Sequence, residues 1–126
     1  MGVSALMVCD GCRAHIRFVR TVSGAYMPVE PTPQDTWLDV RPQSATALAA
    51  WRIRHGFAAD GRHSAATTLV DEASGVTYTG VVCAPPAFGE PAPDGHRHVR
   101  GYEPHFIRCD QAARFRRKRA PAGPPP

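Results

Sequence analysis

Cys9-Asp10-Gly11-Cys12 near one end of the chain and His105-Phe106-Ile107-Arg108-Cys109 near the other decide how this sequence is read, with 92 residues between them. Two cysteines separated by two residues on a tight turn can place both thiolates on one metal ion. A His and a Cys four apart stack on successive turns of a helix and can supply two further ligands. Three sulfurs and an imidazole nitrogen are the soft and borderline donors that suit tetrahedral Zn²⁺, at about 2.0–2.3 Å per bond. The metal ligands predicted from spacing are therefore Cys9, Cys12, His105 and Cys109, holding one structural zinc.

Composition supports a stapled domain. At 126 residues the chain is long enough for one domain with a tail. The 13 Pro and 11 Gly occupy about a fifth of it, and large apolar residues are sparse, which implies a small core. Small cores commonly need a metal or a disulfide. The apolar run Val3–Val8 is too short for a secretion signal and has no basic residues ahead of it. No run approaches the roughly 18 apolar residues of a membrane span. The expected setting is cytoplasmic, where paired cysteines favour metal over disulfide.

A rival for C-x-x-C is a redox dithiol. That pair normally opens a helix after a strand, whereas here β-forming sequence follows. Ile16–Thr21 and Tyr26–Val29 read as a hairpin turning at Ser23-Gly24, with Pro28 confining the second strand to an edge. Gly11 is expected to let the knuckle turn beneath the metal. Residues 34–42 look irregular, with Trp37, Leu38 and Val40 as candidate core anchors. Ser44 is a plausible N-cap for a helix over Ala45–Arg54 that stops at Gly56, burying Leu48 and Trp51, with Ile53 and Ala47 as further candidates. Thr67–Val70 and Val76–Val82 read as a second hairpin, and 84–101 as a Pro- and Gly-rich connection. From Asp110 the composition is strongly helix-forming until Pro121.

Cys83 ends a predicted strand and reads as a buried small side chain, with replacement of His105 in an all-cysteine site as the alternative. His96 and His98 read as polar loop residues, and His15, His55 and His63 as surface residues.

The frame Cys9-x-x-Cys12, Ile16-x-Phe18-Val19-Arg20-Thr21, Gly24, Met27-Pro28-Val29-Glu30-Pro31, then Pro104-His105-Phe106-x-x-Cys109 and Ala113-x-Phe115-Arg116-Arg117 resembles small zinc-ribbon-type proteins of actinobacteria and their phages. The resemblance covers residues 7–33 and 102–119, and departs from the pattern at Asp110, where a Pro is expected. The fold expected is a small α+β domain over 1–119. Its zinc-stapled treble-clef or zinc-ribbon-like core comprises knuckle, β-hairpin and C-terminal helix. An inserted helix and β-hairpin occupy 34–101, and 120–126 form a disordered Pro-rich tail.

Charge suggests a partner. Residues 1–95 carry seven Arg against nine carboxylates, whereas 96–126 carry seven Arg and Lys118 against Glu103 and Asp110, a formal +6. Nucleic acid is the expected partner, met by Arg108, Arg114, Arg116, Arg117, Lys118 and Arg119, with Arg100 extending the patch. A transcriptional regulator would fit. The alternative is a protein-interaction adaptor anchored by Trp37, Trp51, Phe57 and Tyr78 on the insert. No paired carboxylates, phosphate loop or nucleophile–base arrangement stands out, so neither enzymatic activity nor a small-molecule substrate is expected.

Overall fold

Hydrogen-bond register sorts the strands into two sheets. The computed structural model describes residues 3–57, 66–107 and 109. Strands β1 (Met7–Val8), β2 (His15–Arg20) and β3 (Tyr26–Val29) form an antiparallel ribbon in the order β1-β2-β3. Met7 faces Ile16, and Phe18 faces Pro28. Pro28 has no N–H to donate, and its strand indeed lies at the edge. The left-handed residue of the knuckle is Arg13 (φ 67°), and Gly11 is not among the positive-φ residues, contrary to the role expected of it. The amide of Arg13 donates to the Cys9 carbonyl at 2.9 Å, and that of Cys9 to Ala14 at 2.8 Å, which closes the turn.

The second sheet corrects the sequence reading. Strands β4 (Gln34–Val40), β5 (Ala66–Asp71), β6 (Thr77–Cys83) and β7 (His96–Tyr102) close into an antiparallel barrel in the order β4-β6-β5-β7. The expected helix and hairpin are present, as α1 (Ala45–Arg54) and β5–β6, but β4 lies in the segment expected to be irregular and β7 in the expected Pro- and Gly-rich connection. Both carry polar residues on alternate positions. Asp35, Trp37 and Asp39 of β4 stand opposite Arg100, His98 and His96 of β7, so the pair shows little apolar pattern. Closure removes the unpaired edges of these strands. Leu38, Leu69 and Val99 fill the interior, with Val40 and Tyr78 against them. A Cβ at Gly101 would lie 2.2 Å from the Val70 carbonyl, so only glycine permits the β5–β7 approach that completes the closure.

The ribbon and barrel share a core. Val19 and Val29 from the ribbon pack with Val70 and Tyr102 from the barrel, the three valines fully buried. At Gly75 (φ 74°), a Cβ would meet the Arg20 carbonyl at 2.6 Å. That close approach lets the amide of Val22 donate to the Gly75 carbonyl at 3.0 Å. The other side of β2 presents Ile16, with Phe18 beside it, to Cys9 and Cys109. One strand thus separates the barrel contact from the cysteine cluster.

Helix α1 is capped as predicted, the Ser44 hydroxyl accepting from the Ala47 amide at 3.2 Å. Trp51 is its one buried residue, and its indole N–H donates to the Asp39 carbonyl at 3.0 Å. Ile53 and Ala47 are exposed and Leu48 is half-buried, so the buried face is narrower than the sequence suggested. Asp39 lies beneath the helix, 2% exposed, accepting from Arg54 at 2.8 Å and paired with His55 at 2.6 Å. His55 is therefore a clamp residue, not a surface one. Burial pushes the Asp39 carboxyl up, but His55 and Arg54 outweigh it and hold it below its ordinary value.

Candidate metal centre

Four side chains from the two ends of the sequence converge. Cys9 and Cys12 come from the knuckle between β1 and β2. His105 opens a 3₁₀ turn (His105–Ile107), with two residues separating it from β7, and Cys109 follows it. The amide of Cys109 donates to the His105 carbonyl at 2.9 Å, closing one helical turn and setting both side chains on one side, as their spacing implied. The four ligand atoms all lie within 4.8 Å of one another.

The sulfur spacing is compatible with a metal site. Cys9 Sγ and Cys109 Sγ are 3.9 Å apart. A disulfide requires about 2.05 Å, whereas two sulfurs on a tetrahedral zinc stand about 3.8 Å apart, given bonds of about 2.3 Å. All four cysteines are free thiols. His105 Nε2 is 3.2 Å from Cys12 Sγ and so faces the cluster. Cys9, His105 and Cys109 are buried, and Cys12 is half-buried.

A carboxylate that the sequence reading did not single out completes the arrangement. Glu30 Oε2 lies 2.5 Å from His105 Nδ1. Nδ1 then carries the proton and donates it to the carboxylate, which leaves the Nε2 lone pair for a metal. Ligating histidines are commonly oriented in this way. Glu30 is delivered by the backbone: its amide donates to the Glu103 carbonyl at 2.8 Å, and Val29 bridges Pro104. No spacing rule links positions 30 and 105; the signals available were that Glu30 directly follows a strand near the first half-site and belongs to the quoted frame.

The electrostatics suit cation binding. Burial pushes the Cys9 thiol up, yet the amides of Cys12 and Gly11 and the side chains of His105 and Cys12 outweigh it, bringing the pKa to about 7. For His105 burial lowers the pKa, but Glu30 and Cys9 raise it further, and the net shift is upward. Cys9 is thus readily ionised even before a metal adds its charge.

Other predicted residues fall elsewhere. Cys83 ends β6, outside the cluster, half-buried; burial and then the Asp39 charge push its thiol up. His96 and His98 belong to β7 instead of a loop, with His98 stacked on Trp37 and paired with Asp35. Arg100 is engaged by Glu72 at 2.7 Å and lies 3.8 Å from Asp35, so its charge is already matched. Arg108, Arg114, Arg116, Arg117, Lys118 and Arg119 lie outside the described residues, as does the helix expected from Asp110. Of the four residues expected as adaptor anchors, Trp51 is buried and Trp37, Phe57 and Tyr78 are half-buried. Phe57 lies 4.7 Å from the Trp51 ring, Trp37 is on His98, and Tyr78 carries Arg97 over its face. Among the described residues no helix is long and apolar enough to cross a membrane. No protein-family model, curated protein or solved structure matches the chain.

Proposed function

We propose that this protein is a structural-zinc domain in which Cys9, Cys12, His105 and Cys109 hold one Zn²⁺, and that its basic C-terminal segment binds nucleic acid. The observation that carries the zinc reading is the convergence of four soft and borderline donor atoms within 4.8 Å, from positions up to 100 residues apart. Three thiolates and an imidazole favour zinc over hard cations such as Mg²⁺ or Ca²⁺. Four protein ligands would close the coordination sphere and leave no position for water or substrate, which argues for a structural role over a catalytic one. Metal analysis of protein purified under reducing conditions should find one zinc per chain, and a Cys9→Ser variant should lose it. Iron in place of zinc, or no metal, would overturn this reading.

Nucleic acid is favoured by charge. The formal +6 of residues 96–126 contrasts with −2 for the rest, and five of the six residues Arg114–Arg119 are cationic. They follow Cys109 in sequence. Binding to duplex DNA should weaken with salt at a slope of about −0.9 per phosphate contacted. Replacing Arg116, Arg117 and Arg119 by Ala should flatten that slope for all sequences alike and leave the zinc content unchanged. If the unaltered chain fails to retard DNA and RNA at low salt, a protein partner becomes the reading to pursue.

A further inference from the structure

We infer that Cys12 is a modification site: the zinc-bound thiolate attacked by peroxide-class oxidants, with Cys9 closing the resulting disulfide. The inference rests on the zinc reading and goes beyond it, because it assigns unequal chemistry to the four ligands. Their burial is unequal. Cys9 is 3% exposed, His105 3% and Cys109 7%, whereas Cys12 is half-buried and so the most accessible of the four. It sits between half-buried Gly11 and exposed Arg13 in the knuckle. Zinc keeps coordinated sulfur in the thiolate form, and thiolate character together with access governs oxidation.

The remaining half-buried cysteine is differently placed. Cys83 stands outside the cluster, and burial and Asp39 hold its thiol protonated. A bulk oxidant therefore meets a reactive thiolate at Cys12 and an unreactive thiol at Cys83.

The chemistry balances. The Cys12 thiolate takes one oxygen from hydrogen peroxide, giving the sulfenic acid as the O–O bond breaks and hydroxide leaves. The Cys9 thiolate then attacks that sulfur; the S–S bond forms and the S–O bond breaks, releasing a second hydroxide. Two thiolates lose two electrons and the peroxide gains them. Sγ of Cys9 lies within 4.8 Å of Sγ of Cys12, so only a modest movement of the knuckle is needed. With two of four ligands consumed, zinc dissociates.

The test uses zinc-loaded full-length protein. Hydrogen peroxide should release zinc in step with a Cys9–Cys12 disulfide found by peptide mapping. Limiting iodoacetamide should label Cys12 ahead of Cys9, Cys109 and Cys83. A Cys12→His variant, which keeps four ligands, should release zinc markedly more slowly, because the accessible thiolate is gone. Labelling of another cysteine first, or equal release from the variant, overturns the inference. Should Cys12→His fail to hold zinc, the labelling order in the unaltered protein decides. Absence of zinc before treatment would instead overturn the zinc reading itself.

Discussion

Glu30 shows how one residue outside a motif can govern the motif's performance. Its carboxylate fixes the His105 ring by accepting from Nδ1 at 2.5 Å, which directs Nε2 into the cluster. Glu30→Ala would leave the ring free to rotate and to adopt the other tautomer. Zinc affinity, measured by chelator competition, should fall about 10- to 100-fold. Glu30→Gln keeps an accepting oxygen and should fall less. Equal affinities in all three proteins would show that the carboxylate does not orient the ligand. Cys83→Ala should leave the affinity unchanged, since Cys83 lies outside the cluster. The four clustered residues were legible from spacing because a knuckle and a helical turn are local geometries. Glu30 was not, because its position depends on β3 docking alongside residues 103–104, a contact made only in the folded chain.

At the scale of elements, α1 was legible and β4 was not, and one residue explains both. Ser44, the helix-forming run and Gly56 mark the helix locally, whereas Asp39 gives β4 the look of a solvent-exposed segment. Asp39 is buried because α1 covers it with Trp51, His55 and Arg54. The polar pattern that hid the strand is the anchor of the helix. Likewise His96, His98 and Arg100 masked β7, of which only Val99 and Tyr102 are buried side chains from the apolar set. Asp39→Asn should cost about 2–3 kcal/mol, since hydrogen bonds to a charged group are among the stronger ones. Tryptophan emission should shift red as Trp51 gains access to water. The pH dependence follows from the sign of the shift. Asp39 titrates below its ordinary value of 3.8 in the folded chain, so its contribution is complete above that value and is lost as pH falls through the lowered one. The stability gap between the unaltered protein and Asp39→Asn in denaturant melts should therefore be constant near neutrality and narrow on acidification below about pH 3.8. A gap unaffected by acid would mean that the charge does not hold the helix.

Across the whole molecule, the Cys/His cluster and the two sheets contribute unequally to stability. The barrel has its own interior in Leu38, Leu69 and Val99, and it meets the ribbon through Val19, Val29, Val70 and Tyr102. Neither group includes a member of the Cys/His cluster. Each fully buried aliphatic side chain contributes about 1.5–3 kcal/mol, so this shared core is substantial without zinc. Structural zinc in small finger peptides supplies about 10–16 kcal/mol, but there the metal stands in for nearly the whole core. Here the four clustered residues belong to the knuckle and the turn after β7. Chelation should therefore open that region locally and leave the barrel folded. Hydrogen exchange offers the measurement. The Cys9 amide bonded to Ala14, the Arg13 amide bonded to Cys9, the Cys109 amide bonded to His105 and the Glu30 amide bonded to Glu103 should lose protection. Amides in the paired segments of β4, β5, β6 and β7 should keep theirs, as should the Val22 amide bonded to Gly75. Loss of protection throughout the barrel on chelation would instead make zinc the keystone of the entire fold. The ribbon's valines would then have to be unable to stay packed against Val70 and Tyr102 unless the knuckle were closed.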